Sequence, residues 1–159
     1  VQPELDEGGQ RRLALVHRLR RISVELDLAR SAFAQAYDLH DTDVRALIQL
    51  LDAGRAGIPA TAGWLGSQLG LSSASTTSLI DRLEGAGHVR RARSVHDRRK
   101  VEILVTDEAV DLGWEFFGPL LGGMMEAMRP FGAEELDTVE RFLDAVAGVV
   151  RWQGDSCRS

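Results

Sequence analysis

Cysteine is all but missing from this chain: Cys157 is the single one among 159 residues. An intramolecular disulfide is therefore excluded, and a thiolate zinc site has no ligand set. No apolar run approaches the roughly 20 residues a helix needs to cross a bilayer. The opening VQPELDEGGQ is acidic where a secretory leader would be basic and then apolar. These absences predict a cytoplasmic protein without membrane association. Catalytic spacing is missing too. His17, His40, His88 and His96 are scattered over separate elements, with no His-x-x-x-His or Cys-x-x-Cys pair, no Gly-rich phosphate loop and no Gly-x-Ser-x-Gly elbow. His96 beside Asp97 could suggest an acid–base pair, but an exposed turn excludes little water. The expectation is no metal, no cofactor and no enzymatic activity. Lysine is reduced to Lys100 beside eighteen arginines, a bias that GC-rich coding would also produce.

What is present is enough for one ordinary domain, or a small domain with helical extensions: 44% of residues are hydrophobic. Leu15, Leu19, Ile22, Leu26, Ala29, Phe33 and Ala36 recur at alternating steps of four and three, the seam of a long helix. Asp41 or Thr42 can cap a second helix with Val44, Leu47, Ile48 and Leu51 inward, ended by Gly54. Gly57-Ile58-Pro59 reads as a turn or very short edge strand. Residues 61–69 then form a short helix carrying Trp64, Leu65 and Leu69, closed by Gly70. Ser72 or Ser73 opens the next helix, whose apolar face is Thr76, Leu79, Ile80 and Leu83.

After Gly85 and Gly87, Val89 leads into SVHDRRKVEILVTDEA. There Val101, Ile103 and Val105 alternate as in a half-buried strand, and Thr106 caps a further helix. Asp97-Arg98-Arg99-Lys100 thus falls at a hairpin tip. Residues 82–100 hold seven basic side chains against Glu84 and Asp97, a local +5 that leaves −10 on the rest of a chain whose net charge is −5. Such a block draws in phosphate while the other surfaces repel it. Two short helices joined by a tight Gly turn and followed by a hairpin make a winged helix-turn-helix. The second helix begins SSASTTS, slim and hydroxyl-rich as a major-groove reader must be. Capping explains Ser72 and Ser73 but not Thr77 and Ser78, which lie past the first turn.

LGLSSASTTSLIDRLEGAGHVRRARSVHDRRKVEILVT resembles the DNA-binding core of the multiple antibiotic resistance regulator (MarR) family. The shared features are its Leu-Gly turn, recognition helix, Leu-Glu-x-x-Gly-x-Val-x-Arg exit and Asp-x-Arg wing. The resemblance implies that Thr77 and Ser78 contact the major groove, that Arg99 enters the minor groove, and that Asp97 orients Arg99. With these, Ser73, Ser75 and Arg82 on the helix and Arg98 and Lys100 in the wing complete the candidate DNA-contacting set. Val105-Thr106-Asp107-Glu108-Ala109 stands where the family often has Leu-Thr-x-x-Gly. The N-terminal helix also lacks the peroxide-sensing cysteine of the redox branch.

Trp114, Phe117, Leu121, Met124 and Met128 repeat at three and four, as do Leu136, Val139, Leu143, Val146 and Val150 after a break at Pro130-Phe131-Gly132. Pro119 predicts a kink in the first of these helices. The fold class expected is mostly α with a small β-hairpin wing. Residues 10–38 form an N-terminal dimerisation helix, 39–106 the winged helix-turn-helix domain, 107–152 C-terminal dimerisation helices and 153–159 a flexible tail. Leu15, Leu19, Ile22, Leu136, Val139, Leu143, Val146 and Val150 would be buried in a two-fold dimer. The resemblance further implies a bacterial homodimeric repressor on a pseudo-palindromic double-stranded DNA operator. It also implies release by a small aromatic or phenolic effector bound near Trp64, Trp114 or Phe117. The competing reading is a winged-helix protein-interaction module without specific DNA binding.

Overall fold

Eight elements follow one another in the computed structural model, which describes residues 6–94 and 99–156. They are α1 (Glu7–Ala36), α2 (Asp41–Arg55), α3 (Ala62–Leu69), α4 (Ser73–Gly85), β1 (Val89–Arg93), β2 (Val101–Val105), α5 (Asp107–Met128) and α6 (Ala133–Ser156). The chain divides into two compact units, one ending at Trp114 and the other beginning at Glu115. The order is that of the expected mostly helical winged fold with its hairpin.

In the first unit, α1 starts at Asp6, whose carboxylate accepts a hydrogen bond from the Gly9 amide at 2.7 Å. Of its predicted seam only the C-terminal end is buried, at Phe33, with neighbouring Ala34; Leu15, Ile22 and Leu26 are exposed. Phe33 stacks on Tyr37 with centroids 4.8 Å apart, and Arg30 reaches Asp41 at 3.1 Å, so α1 is fastened to the start of α2. The α2 cap differs from expectation. His40 is the N-cap, and Asp43, in the first turn, accepts the His40 amide at 3.1 Å. The buried face of α2 is also rotated from the predicted one: Leu50 and Ala53 join Val44 and Leu47 in the core, while Ile48 stays exposed. Small Ala46 and Ala53 let α2 approach its neighbours closely, and a count of large apolar residues gives them no weight.

Leu65, Ile80 and Leu83 are almost wholly buried and hold α2, α3, α4 and the hairpin around one core with Val89 and Ile103. Each large aliphatic chain so buried contributes about 1.5–3 kcal/mol. The strands pair antiparallel, Val89 opposite Val105, Arg91 opposite Ile103 and Arg93 opposite Val101. The Gly57-Ile58-Pro59 turn leads into a short extended piece: Ala60 accepts the Ile103 amide at 2.8 Å and Thr61 bridges Glu102. Thr106 caps α5 as expected, accepting from Ala109 at 3.3 Å while donating to the Gly87 carbonyl at 2.7 Å.

In the second unit α5 continues through Pro119 without a break in the helix. The expected interruption at 130–132 is present, and Glu135 closes it by accepting the Gly132 amide at 2.9 Å. Among the described residues no helix is long and apolar enough to cross a membrane. Leu136, Val139, Phe142 and Leu143 of α6 are exposed within this unit.

Candidate nucleic-acid interface

The turn between α3 and α4 is set by two glycines. Gly70 adopts φ 67°, a left-handed conformation that ends α3 without a Cβ penalty. Gly66 is needed for a different reason: a Cβ there would lie 2.7 Å from the Thr76 hydroxyl oxygen. That contact lets the backbone of α3 meet α4. Ser72 caps α4 by accepting the Ser75 amide at 3.2 Å, and its hydroxyl donates to Ser75 Oγ at 2.9 Å. The predicted apolar face of α4 is the observed one, with Thr76, Leu79, Ile80 and Leu83 all buried. Ser73, Ser75, Thr77 and Ser78 lie on the exposed face. Thr77 donates its hydroxyl proton to the Ser73 carbonyl at 2.9 Å, so what it offers outward is an acceptor oxygen and a methyl group.

Two ion pairs hold this helix in place, and neither is visible in a periodicity. Asp43, 2% exposed, receives Arg82 through two guanidinium nitrogens, at 2.5 and 3.1 Å, across 39 positions of sequence. The hydrogen bond to Asp43, opposed by burial, raises Arg82 above its ordinary pKa. Arg82, expected among the DNA contacts, ties α4 to the first turn of α2 and keeps its side chain 43% exposed. Arg91 of β1 is the second tie. Its guanidinium reaches Asp81 at 2.6 Å and Glu84, and its amide donates to Glu84 at 3.0 Å. Hydrogen bonding to Asp81 foremost, and to Glu84 after the opposing effect of burial, raises the Arg91 pKa. The consequence is electrostatic as well as mechanical. The charge of two carboxylates on α4 that would repel phosphate is offset in part by one arginine of the wing's own strand.

Arg82 and Arg91 are thus paired with carboxylates while still partly exposed, so part of the positive charge counted in the sequence is already matched. Arg90 and Arg93 on β1 and Arg99 and Lys100 beside the tip are exposed. Ser94 donates its amide to Lys100 at 2.9 Å, extending the hairpin one step beyond the strands. The predicted contacts Asp97 and Arg98 lie outside the described residues.

A sequence model described as the MarR family matches residues 37–100, from the end of α1 to the wing. Over 135 residues the chain is 36% identical to the uncharacterized HTH-type transcriptional regulator YcgE of Bacillus subtilis (strain 168), covering 85% of each protein. The chain belongs to the MarR family. Its fold is similar to that of a MarR family protein from Bacillus stearothermophilus, at 25% identity and TM-score 0.62, over 89% of this chain and 97% of that one. The same fold is found in the S. aureus MepR–DNA complex, at 16% identity and TM-score 0.54, over 85% of this chain and 98% of that one.

In this MarR-family chain the other predicted site residues are distributed as follows. Leu15, Ile22, Leu136, Val139, Leu143 and Val150 are exposed, and Leu19 and Val146 are partly covered. A groove of about 700 Å³ runs between the end of α2, the hairpin and the start of α5. Trp114, 55% exposed, forms one wall with Leu50, Leu51, Ile58 and Val110, and Arg55, Arg90 and Glu102 supply polar groups. One Glu102 carboxylate oxygen is buried without a partner. Trp64 is not in this lining; it packs half-buried against the core. Phe117 belongs to the second unit, edge-on to Phe116 at 5.0 Å. Among the described residues no three His, Cys, Asp or Glu side chains converge as a metal site.

Proposed function

We propose that this MarR-family regulator binds double-stranded DNA as a homodimer and represses transcription until a small-molecule effector releases it. The observation that carries this reading is the exposed hydroxyl edge of α4, its carboxylates partly offset by Arg91, beside a wing bearing Arg90, Arg93, Arg99 and Lys100. Hydroxyls at that edge read base edges or anchor adjacent phosphates, and the wing cations neutralise phosphates. Arg99 enters a minor groove narrowed by A·T-rich sequence, where negative potential is concentrated.

A −5 chain needs this surface focused and used twice. The exposed apolar seams of α1 and α6 support a two-fold dimer, since patches of that extent are rarely left in water. Two recognition helices then sit about 34–36 Å apart and read a pseudo-palindromic site. The groove at Trp114 suits a small aromatic or phenolic acid, the ring against the apolar wall and the acid toward Arg55 or Arg90. Such a ligand lowers DNA affinity only by its differential affinity for the binding and non-binding states.

The test is electrophoretic mobility shift with the DNA flanking the protein's own gene, against an unrelated duplex of equal length. Retardation of the flanking DNA at protein concentrations that leave the unrelated duplex free is the expected result. Equal behaviour of the two duplexes would instead indicate a winged helix used for protein interaction.

A further inference from the structure

The groove beside Trp114 contains an acid that neither the DNA-binding surface nor the core accounts for. In the hairpin register Arg90 stands opposite Leu104, and Ala92 opposite Glu102. Successive side chains of a strand point to opposite faces, so Arg90, Glu102 and Leu104 share the face turned away from buried Val89 and Ile103. All three line the groove, together with Ile58 and Trp114. Glu102 sits between two backbone neighbours, paired with Ala92 on one side and bridged to Thr61 on the other. Neither neighbour is a cation, so the sheet itself supplies Glu102 with no counter-charge.

That acid is held in an unfavourable state. Glu102 is half-buried, and its Oε1 is buried and accepts no hydrogen bond. Arg55 is engaged with Asp52 at 3.1 Å, and neither it nor Arg90 closes onto that oxygen. Buried polar atoms without a partner are rare, because the hydration they lose is not returned. The last torsion of a glutamate side chain is broad, so the carboxylate can turn to offer either oxygen to the groove. Arg90 is exposed on the same face, diagonal to Glu102 across the two strands, which sets their backbones about 7–8 Å apart. The groove therefore presents an anion and a cation at a span that one substituted benzene ring bridges, beside an indole that is 55% exposed.

We infer that the groove takes an aromatic ligand charged at both ends, its acid on Arg90, its protonated amine on Glu102 and its ring against Trp114. The inference rests on the effector groove proposed above and names the second half of the ligand. Glu102 is then the residue that sets specificity. A hydrogen bond between charged partners is about twice as strong as one between neutral groups. An aromatic acid without a donor leaves the Glu102 oxygen unpaired, and a site with an unmet polar group rejects such a ligand more sharply than an apolar wall rejects a missing methyl.

Isothermal titration calorimetry on the full-length protein tests it with three probes built on one ring: para-methylbenzoate, para-hydroxybenzoate and para-(aminomethyl)benzoate. The amine probe should bind at least about tenfold more tightly than the methyl probe, with the hydroxyl probe between them. Glu102→Gln keeps the shape and removes the charge, and should cut the advantage of the amine over the methyl probe to less than about threefold. Equal affinity of the amine and methyl probes for the native protein would overturn the inference and leave the effector groove standing. Absence of binding by all three would overturn the inference and the effector reading of the groove together. An amine advantage that survives Glu102→Gln would overturn the role of Glu102 and assign the cation to the face of the Trp114 indole. Should Glu102→Gln not fold, Glu102→Met takes its place with the same expected loss, and the ratio on the native protein decides independently of either variant.

Discussion

Asp43 and Arg82 form a pair whose two halves are unequally buried, and that asymmetry sets an order of damage. Arg82→Ala leaves the carboxylate, 2% exposed, with only the His40 amide for company. Breaking a buried pair from that side costs about 3–5 kcal/mol. Asp43→Ala leaves a guanidinium whose side chain is already 43% exposed and which water can reach. Its cost is the charge-assisted bonds and the tie at the α2 start, about 2–3 kcal/mol. Either is a large share of the roughly 5–15 kcal/mol that holds an ordinary domain. Urea unfolding of the two single variants and the double variant, with slopes compared, measures this. Arg82→Ala should have the lower midpoint, and the double variant should lose less than the two singles added together. DNA affinity should fall in step, because Arg82 anchors the recognition helix. An Arg82→Ala variant as stable as Asp43→Ala, or strict additivity, would refute the reasoning.

Gly66→Ala should destabilise by about 1–3 kcal/mol in the same assay, because its methyl group meets the Thr76 hydroxyl oxygen in a packed core. Arg99→Ala should weaken binding to specific and unrelated duplexes alike and flatten the salt dependence, read by fluorescence anisotropy across a salt series. Thr77→Ala with Ser78→Ala should leave the melting temperature nearly unchanged, both residues being exposed. That pair should lose about 1–3 kcal/mol of discrimination between the native site and single-base variants. Titration with phenolic acids should shift tryptophan emission and lower DNA affinity in parallel, and Trp114→Ala should abolish both responses.

Legibility in the sequence tracked how local each cause is. The α4 face of Thr76, Leu79, Ile80 and Leu83 was readable because helix phase is written in consecutive spacing, and Ser72 and Gly70 marked the ends by their own chemistry. The α2 phase is misjudged at Ile48 because its buried face includes Ala46 and Ala53, small residues that a search for large apolar side chains passes over. The ties Asp43–Arg82 and Arg91–Asp81 were not readable. Each joins residues remote in sequence or on different elements, and an acid–base pair in a sequence looks the same whether it meets or not. The sequence therefore offers Arg82 only as a candidate DNA contact and does not single out Arg91 within the basic block.

The central claim is specific DNA binding by two linked copies of one winged surface. It is tested most directly by anisotropy titration, at moderate salt, of three duplexes: the bound site, the same site with one half scrambled, and an unrelated sequence. The account predicts tightest binding to the intact site and a marked loss when one half is scrambled, because the second contact is no longer linked to the first. The unrelated duplex should bind weakest, with a residual affinity that disappears as salt rises. Equal affinity for all three would contradict it.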